Sequence, residues 1–209
     1  MSKLSIQERL NQLLPKLQDS RLLGNRGIGN EIGFYVFDYA PEDELYVQEY
    51  TKILILQLTR DPINLVVKEF NLYNIILEIL QEKGILNKAF IVEAKEGHES
   101  LWNKIQPIVR PEKVITQIQN HLQGNEQLVF LTGVGASWPL IRSHSILNGL
   151  QPYLDHIPLV LFFPGSYGRT FMATCSKVKR MVKPDSRAVI TIWEFAERPH
   201  SHTRRAKNG

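Results

Sequence analysis

The chain has 209 residues, of which 43% are hydrophobic and 22% charged, with a formal net charge of +4 at pH 7. No run approaches the ~20 apolar residues of a membrane helix, and no apolar core follows Lys3 as in a signal peptide, so a cytoplasmic protein without membrane contact is expected. The lone Cys175 excludes an intramolecular disulfide and a cysteine zinc cage.

The predicted elements alternate between helix and strand from the N-terminus onwards. Helices are predicted at 5–18, at 41–59 and from Leu72 to a stop at Lys83-Gly84, and strands at 34–38 and 63–70. Ser5 and Glu8 have the spacing of a capping box. Pro15 predicts a kink or an early end of the first helix.

The second half continues the alternation after a run of helices. Three short helices are predicted at 86–95, 98–108 and 111–122, then a strand at 127–132, a helix at 138–150 and a strand at 158–163. Unbroken apolar strands separated by helices are typical of a parallel sheet covered on both faces. We therefore predict a Rossmann-like α/β domain with three layers, a mostly parallel sheet and a helical insertion at about residues 86–122. The strand propensity of 188–193 could complete the sheet.

The positive charge is concentrated at the C-terminal end. Residues 168–209 hold ten Lys and Arg against three Asp and Glu, whereas the preceding residues hold 15 and 18. A basic tail can bind nucleic-acid phosphates weakly and in a salt-sensitive way. A solvated end without a partner explains the same composition. The sequence predicts a folded domain over 1–167 and an atypical, partly disordered basic tail over 168–209.

Sheets of this kind bind ligands at the carboxyl ends of their strands. The turn Gly133-Val134-Gly135 lies there, between a strand and a helix, where backbone N–H groups can bind an anion. Arg142 and His144 could support that anion. Glycines also occur in such turns for their geometry alone, and the two cationic side chains also fit an ordinary surface.

Catalytic motifs are missing from the sequence. It contains no Gly-x-x-x-x-Gly-Lys-[Ser/Thr] loop, no His-Glu-x-x-His pair and no Gly-x-Ser-x-Gly elbow. Cys175 lies in the basic tail, outside the predicted compact body, which argues against a nucleophile. The sequence therefore predicts no enzymatic activity, no metal and no cofactor.

Aromatic residues are more numerous than the strands need for packing, and Tyr, Trp and Arg dominate the hot spots of protein interfaces. Aromatic side chains are also common core residues. If the aromatic residues act as interface anchors, they predict a binding surface at the carboxyl end of the sheet. Its candidate residues are Asp38, Tyr39, Gly133, Gly135, Trp138, Arg142, His144 and Tyr167.

Several separated blocks of this sequence resemble the BrxB family. They are residues 17–25, 34–44, 130–135, 151–152, 157–160 and 162–167, with Pro139, Arg142, His144 and Leu147-Asn148 between them. The resemblance covers about residues 5–167. After Tyr167 the chain departs from the family pattern and continues into the basic tail.

The resemblance implies a small core component of BREX systems, which restrict bacteriophages alongside methylation of host DNA. It implies a PglZ-like protein as partner, with other BREX components as further candidates, and it supplies no catalytic residue. The leading expectation is a non-catalytic adaptor that binds through the carboxyl end of its sheet. The alternative is a nucleotide- or nucleic-acid-binding module that uses the glycine turn and the basic tail.

Overall fold

The computed structural model describes residues 4–24, 33–154 and 156–166, together with the backbone of two residues near the C-terminus. Its strands are β1 (Phe34–Tyr39), β2 (Val67–Asn71), β3 (Leu128–Thr132), β4 (Leu159–Pro164) and β5 (Ile190–Thr191). Its helices are α1 (Ile6–Asn11), α2 (Leu13–Leu17), α3 (Ser20–Leu23), α4 (Glu44–Thr59), α5 (Leu72–Glu82), α6 (Leu86–Ile105), α7 (Pro111–His121), α8 (Val134–Ser137) and α9 (Ser143–Leu150), with a 3₁₀ turn at Pro41–Asp43.

The strands form one sheet in the order β2-β3-β4-β1-β5, and every described pair is parallel. Tyr35 of β1 lies opposite Val160 of β4 on one side and Ile190 of β5 on the other. The predicted parallel sheet is therefore confirmed. The strand expected within 188–193 is present at the two positions that the structure describes.

Helices cover both faces of the sheet, because both sets of alternating strand side chains are apolar. Phe34 and Val36 of β1 face a core that α5, α6, α7 and α9 complete. Tyr35 and Phe37 point the opposite way, into a second core closed by α1, α2 and α4. The three-layer α/β architecture is thus confirmed.

The first helix begins as predicted but breaks earlier. Ser5 accepts a hydrogen bond of 3.3 Å from the Glu8 N–H, and the Glu8 carboxylate accepts one of 2.8 Å from the Ser5 N–H, which completes the capping box. The break falls at Gln12 and not at Pro15. Pro15 then lies in the first turn of α2, where N–H groups have no helical acceptor and the missing proline N–H costs no hydrogen bond.

The helical insertion is confirmed as α6 and α7. Gly97 interrupts α6 with φ of 82°, close to the predicted break between two helices. The strand predicted from residue 63 begins only at Val67, because a turn follows α4. In that turn Ile63 and Asn64 both donate to the Arg60 carbonyl oxygen.

The helix predicted at 138–150 is wrong in its first part. Trp138 has extended backbone, with φ of −72° and ψ of 138°, and the helix α9 begins only at Ser143. The proline ring of Pro139 disfavours helical backbone at the residue before it. α8 therefore ends at Ser137, and residues 138–142 form a loop. The boundary at Tyr167 stays a prediction, since 167–189 and 192–209 lie outside the described residues.

Candidate functional site

The strands end beneath the first turns of α4, and side chains there surround a narrow cleft. Successive side chains of a strand point to opposite faces of the sheet. The face that is covered by α4 carries Tyr39, Glu69, Asn71 and Thr132. The cleft has a volume of about 60 Å³. The residues that line it are Tyr39, Glu44, Val47, Gln48, Thr51, Lys52, Glu69, Asn71, Thr132, Gly133 and Phe162.

Glu44, the first residue of α4, is the hydrogen-bond acceptor at one side of the cleft. The Tyr39 hydroxyl donates to its Oε2 at 2.7 Å, and the Gln48 amide nitrogen donates to its Oε1 at 2.9 Å. Tyr39 is buried, and burial together with the hydrogen bond to Glu44 and its charge raises the pKa of the phenol well above its usual value. Tyr39 therefore remains a proton donor at physiological pH.

Glu69 lies across the cleft, near the end of β2. The buried Thr132 hydroxyl on the neighbouring strand donates to its Oε1 at 2.6 Å. Lys52 reaches the cleft from α4, and its Nζ lies 2.7 Å from Glu49 Oε1 on the same helix. The hydrogen bond and charge of Glu49, with a smaller influence from Glu69, raise the pKa of Lys52.

The glycine turn after β3 is packed against a side chain. Gly133 has φ of 70°, which favours glycine. A Cβ atom at this position would lie 2.3 Å from Oδ1 of Asn71. That same oxygen accepts hydrogen bonds from the N–H groups of Tyr73 and Asn74, so Asn71 caps α5. The positive φ and the close approach of Asn71 therefore explain why glycine occupies position 133 without any bound anion. The helix α8 that follows has only four residues.

Gly135 brings the end of β4 close to Glu44. A Cβ atom on Gly135 would lie 3.0 Å from Cγ of Pro164 and 3.5 Å from Oε2 of Glu44. The loop that begins at Trp138 therefore starts beside the cleft, since the Trp138 N–H donates to the Gly135 carbonyl oxygen at 3.2 Å.

Large apolar side chains stand exposed around this end of the sheet. Trp138 is 62% exposed and Leu45 is 76% exposed. Tyr46 in the first turn of α4 and Tyr73 in the first turn of α5 are also exposed. We call these four residues the apolar rim. Each lies within one turn of a helix that follows a strand, which places the rim at the carboxyl end of the sheet.

The remaining predicted residues lie in three different settings. Arg142 ends the loop at 138–142 and His144 lies in the first turn of α9, and both are exposed. Partial desolvation and the Arg142 charge lower the pKa of His144. Asp38 does not line the cleft; its Oδ1 lies 2.7 Å from the Arg9 guanidinium of α1. Tyr167 lies outside the described residues.

Glu44, Gln48, Glu69 and Thr132 line the cleft but are not among the predicted binding residues. Strand parity could have identified Glu69, because a charged residue two positions before the capping Asn71 shares its face. Nothing in the local sequence pairs Glu44 with Tyr39 across the 3₁₀ turn.

In the described part of the chain no three His, Cys, Asp or Glu residues are grouped as metal ligands. Nor does any helix among the described residues have the length and apolarity to cross a membrane.

Comparisons with known proteins agree with one another. The family model described as BREX protein BrxB matches residues 68–188. A BREX protein BrxB of Bacillus cereus (strain H3081.97) is 42% identical over 178 residues, covering 83% of this chain and 92% of its own. A BREX protein BrxB of Escherichia coli O9:H4 (strain HS) is 34% identical over 166 residues, covering 78% of this chain and 80% of its own. No solved structure matches the chain.

Proposed function

This chain belongs to the BrxB family of BREX proteins, and on that premise we propose that it is a non-catalytic adaptor of a BREX bacteriophage-defence system. Its partner in this proposal is the PglZ-like protein of the same system, and it acts in the cytoplasm. The apolar rim is the observation that carries the proposal. Large apolar side chains exposed beside polar groups are typical of a protein interface, and here they stand at one end of the sheet on α4, on α5 and after α8.

The composition of the rim supports binding to a protein over binding to a small molecule. Trp and Tyr are the residue types most enriched at interface hot spots. The cleft beside them, at about 60 Å³, is far smaller than the ~300–1,000 Å³ of pockets for small ligands and cofactors. Exposed aromatic side chains can contact a macromolecule, whereas a cleft of this size gives little enclosure to a nucleotide.

A co-purification experiment tests the adaptor function. The full-length tagged chain is co-expressed with its PglZ-like neighbour and captured at low and at high salt, since contacts made by the apolar rim should resist salt. Trp138→Ala should weaken capture by about ten- to a hundredfold, as expected for a central aromatic hot spot. Tyr153→Ala is the matched control.

The control variant Tyr153→Ala also removes an exposed aromatic side chain, but at a different position on the sheet. Tyr153 is 54% exposed and precedes β4, so it lies towards the opposite end of the sheet. Its substitution should leave capture unchanged. Failure of the wild-type chain to capture the PglZ-like protein at either salt concentration would refute the proposed partner. Equal losses for Trp138→Ala and Tyr153→Ala would refute the proposed surface.

The charge of residues 168–209 favours a second candidate function, the binding of nucleic acid. The basic cluster Arg204, Arg205 and Lys207 can be replaced by glutamine without removing β5. If the tail binds nucleic acid, fluorescence anisotropy with labelled DNA should show affinity that falls with salt and with this triple substitution. Unchanged affinity in the triple variant would exclude these residues as the binding element.

A further inference from the structure

The two carboxylates of the cleft have acceptor capacity that the described part of the protein does not use. A carboxylate offers about four sites for hydrogen-bond donors. Glu44 receives two donors, from Tyr39 and Gln48, and Glu69 receives one, from Thr132. Neutral donors hold the half-buried Glu44 and the exposed Glu69, and lone pairs on both carboxylates are open to a ligand as well as to water.

Lys52 offsets only part of this charge, since Glu69 raises the pKa of Lys52 less than Glu49 does. Lys52 lines the cleft, but its ammonium group already lies 2.7 Å from the exposed Glu49 carboxylate on the outer side of α4. Two carboxylates thus face one ammonium group that has another anionic partner. The charge of the cleft complements a cation, and an anion placed there would meet Glu44 and Glu69 at short range.

The volume of the cleft and the aromatic residue beside it favour a guanidinium group over a metal ion or an ammonium group. A volume of about 60 Å³ holds roughly four to six water-sized atoms, which suits the carbon and three nitrogens of a guanidinium group. A bare calcium ion needs about six to eight oxygen ligands, and the described residues group no three candidate metal ligands. Guanidinium also stacks on aromatic faces more readily than ammonium does, and the exposed Trp138 begins beside Gly135 and Glu44.

We propose that the cleft receives an arginine side chain of the partner protein, with its guanidinium group donating hydrogen bonds to Glu44 and Glu69 and its stem lying against the apolar rim. This inference rests on the proposed adaptor function and adds to it the chemistry of the partner's anchoring residue. Arginine is enriched at interface hot spots because a planar guanidinium matches carboxylate acceptors and aromatic faces together.

The test measures the dissociation constant of the full-length chain with the purified PglZ-like protein. The double variant Glu44→Gln/Glu69→Gln should bind about tenfold more weakly or worse, because each substitution removes a negative charge and keeps the side-chain shape. The double variant Glu78→Gln/Glu99→Gln removes two exposed carboxylates from α5 and α6 and should bind within about twofold of the wild type. Thermal unfolding of each variant checks that it is folded.

A second measurement compares the wild-type complex with that of the Glu44→Gln/Glu69→Gln variant and identifies the bound group. The wild-type complex and its free components are treated with phenylglyoxal, which modifies arginine, and the modified residues are located by mass spectrometry. One arginine of the partner should be protected in the complex and exposed again in the presence of Glu44→Gln/Glu69→Gln. A lysine protected in its place, in a parallel acetylation experiment, would overturn the assignment to guanidinium.

The remaining outcomes separate the inference from the proposed function. If the wild-type chain binds the PglZ-like protein and the Glu44→Gln/Glu69→Gln variant binds equally well, the arginine anchor is wrong and the adaptor function stands. If Arg204 or Arg205 of this chain is protected before the partner is added, the cleft binds the chain's own tail and the inference is overturned. If the wild-type chain does not bind the partner, the proposed function fails first.

Discussion

The hydroxyl group of Tyr39 donates a hydrogen bond of 2.7 Å to Oε2 of Glu44, and so joins the last residue of β1 to the first residue of α4. The bond spans the 3₁₀ turn at Pro41–Asp43 and fixes where α4 starts over the sheet. Because Glu44 also lines the cleft, the same contact sets both the packing of the α4 layer and the position of a carboxylate at the candidate site.

Replacement of Tyr39 by phenylalanine should lower the free energy of unfolding by about 1–2 kcal/mol. A hydrogen bond to a charged group contributes about 1.5–3 kcal/mol, and water can reach half-buried Glu44, which places the loss towards the lower end. Urea unfolding of Tyr39→Phe measures it. Tyr73→Phe, at an exposed tyrosine in α5, should change stability by less than about 0.5 kcal/mol. Equal losses in the two variants would contradict the assigned role of the Tyr39 hydroxyl.

Stability should fall at alkaline pH because of the same residue. Burial and Glu44 raise the pKa of Tyr39 in the folded protein above its value of about 10 in an unfolded chain. The contribution is therefore complete below about pH 10 and is lost as the pH rises towards the folded-state pKa, since only the unfolded chain releases the proton. Urea unfolding between pH 8 and 11 should show a shallower fall for Tyr39→Phe than for the wild type. Parallel curves would contradict this linkage.

Substitution of Gly133 by alanine should be far more damaging than substitution of another glycine with positive φ. Alanine at Gly133 pays the cost of left-handed backbone, about 1–2 kcal/mol, and its Cβ would displace the Asn71 side chain that caps α5, for about 1 kcal/mol more. Gly124 has φ of 82°, and a Cβ atom added there would meet nothing within 4 Å, so Gly124→Ala isolates the backbone cost. Chemical denaturation of the two variants should differ by about 1 kcal/mol or more.

Asp38 should contribute to stability and not to partner binding. Its carboxylate pairs with Arg9 at 2.7 Å, and both side chains are largely shielded from solvent, so Asp38→Asn should cost about 1–3 kcal/mol. The exposed pair of Lys52 and Glu49 provides the control, since Glu49→Gln should cost less than about 1 kcal/mol. Capture of the PglZ-like protein by folded Asp38→Asn should match the wild type. If Asp38→Asn lost capture of the partner without losing stability, Asp38 would belong to the binding surface.

Sequence patterns predicted the fold because the signals were strong and local. Apolar strands such as 128–132 are buried throughout, and the capping box at Ser5 forms as predicted. The helix predicted from Trp138 is wrong at its start because the ring of Pro139 disfavours helical backbone at the residue before it. That error concealed the loop that exposes Trp138.

The candidate site was predicted only in outline. The carboxyl end of the sheet follows from parallel topology, and Tyr39, Gly133 and Trp138 were assigned to it from sequence. The acids of the cleft were not, because Glu44 and Glu69 come together through the crossing of α4 over the sheet. No spacing rule along the chain relates residues 44, 69 and 132, whose contacts depend on that tertiary packing.

The stability of the protein in acid should depend on Glu126, a buried residue just before β3. Burial acts to raise its pKa, but backbone N–H groups of Gln123, Glu126 and Gly124, with the charge of Lys68, lower the pKa overall. The Gln123 and Gly124 N–H groups donate to its two carboxylate oxygens at 2.7 and 2.9 Å.

A carboxyl group with a lowered pKa contributes stability that is present above its unfolded pKa, about 4.3, and is lost as the pH falls through the folded-state value. Glu126→Gln should therefore be less stable than the wild type at pH 7, where both backbone N–H groups lose an anionic acceptor and the NH2 group of glutamine replaces one of the two acceptors with a donor. The gap should narrow as the pH falls below about 4. Urea unfolding from pH 7 to pH 3 measures both effects, with the exposed Glu112→Gln as the control for loss of a charge on the neighbouring helix. A gap between wild type and Glu126→Gln that stays constant over this range would show that ionised Glu126 does not stabilise the turn before β3.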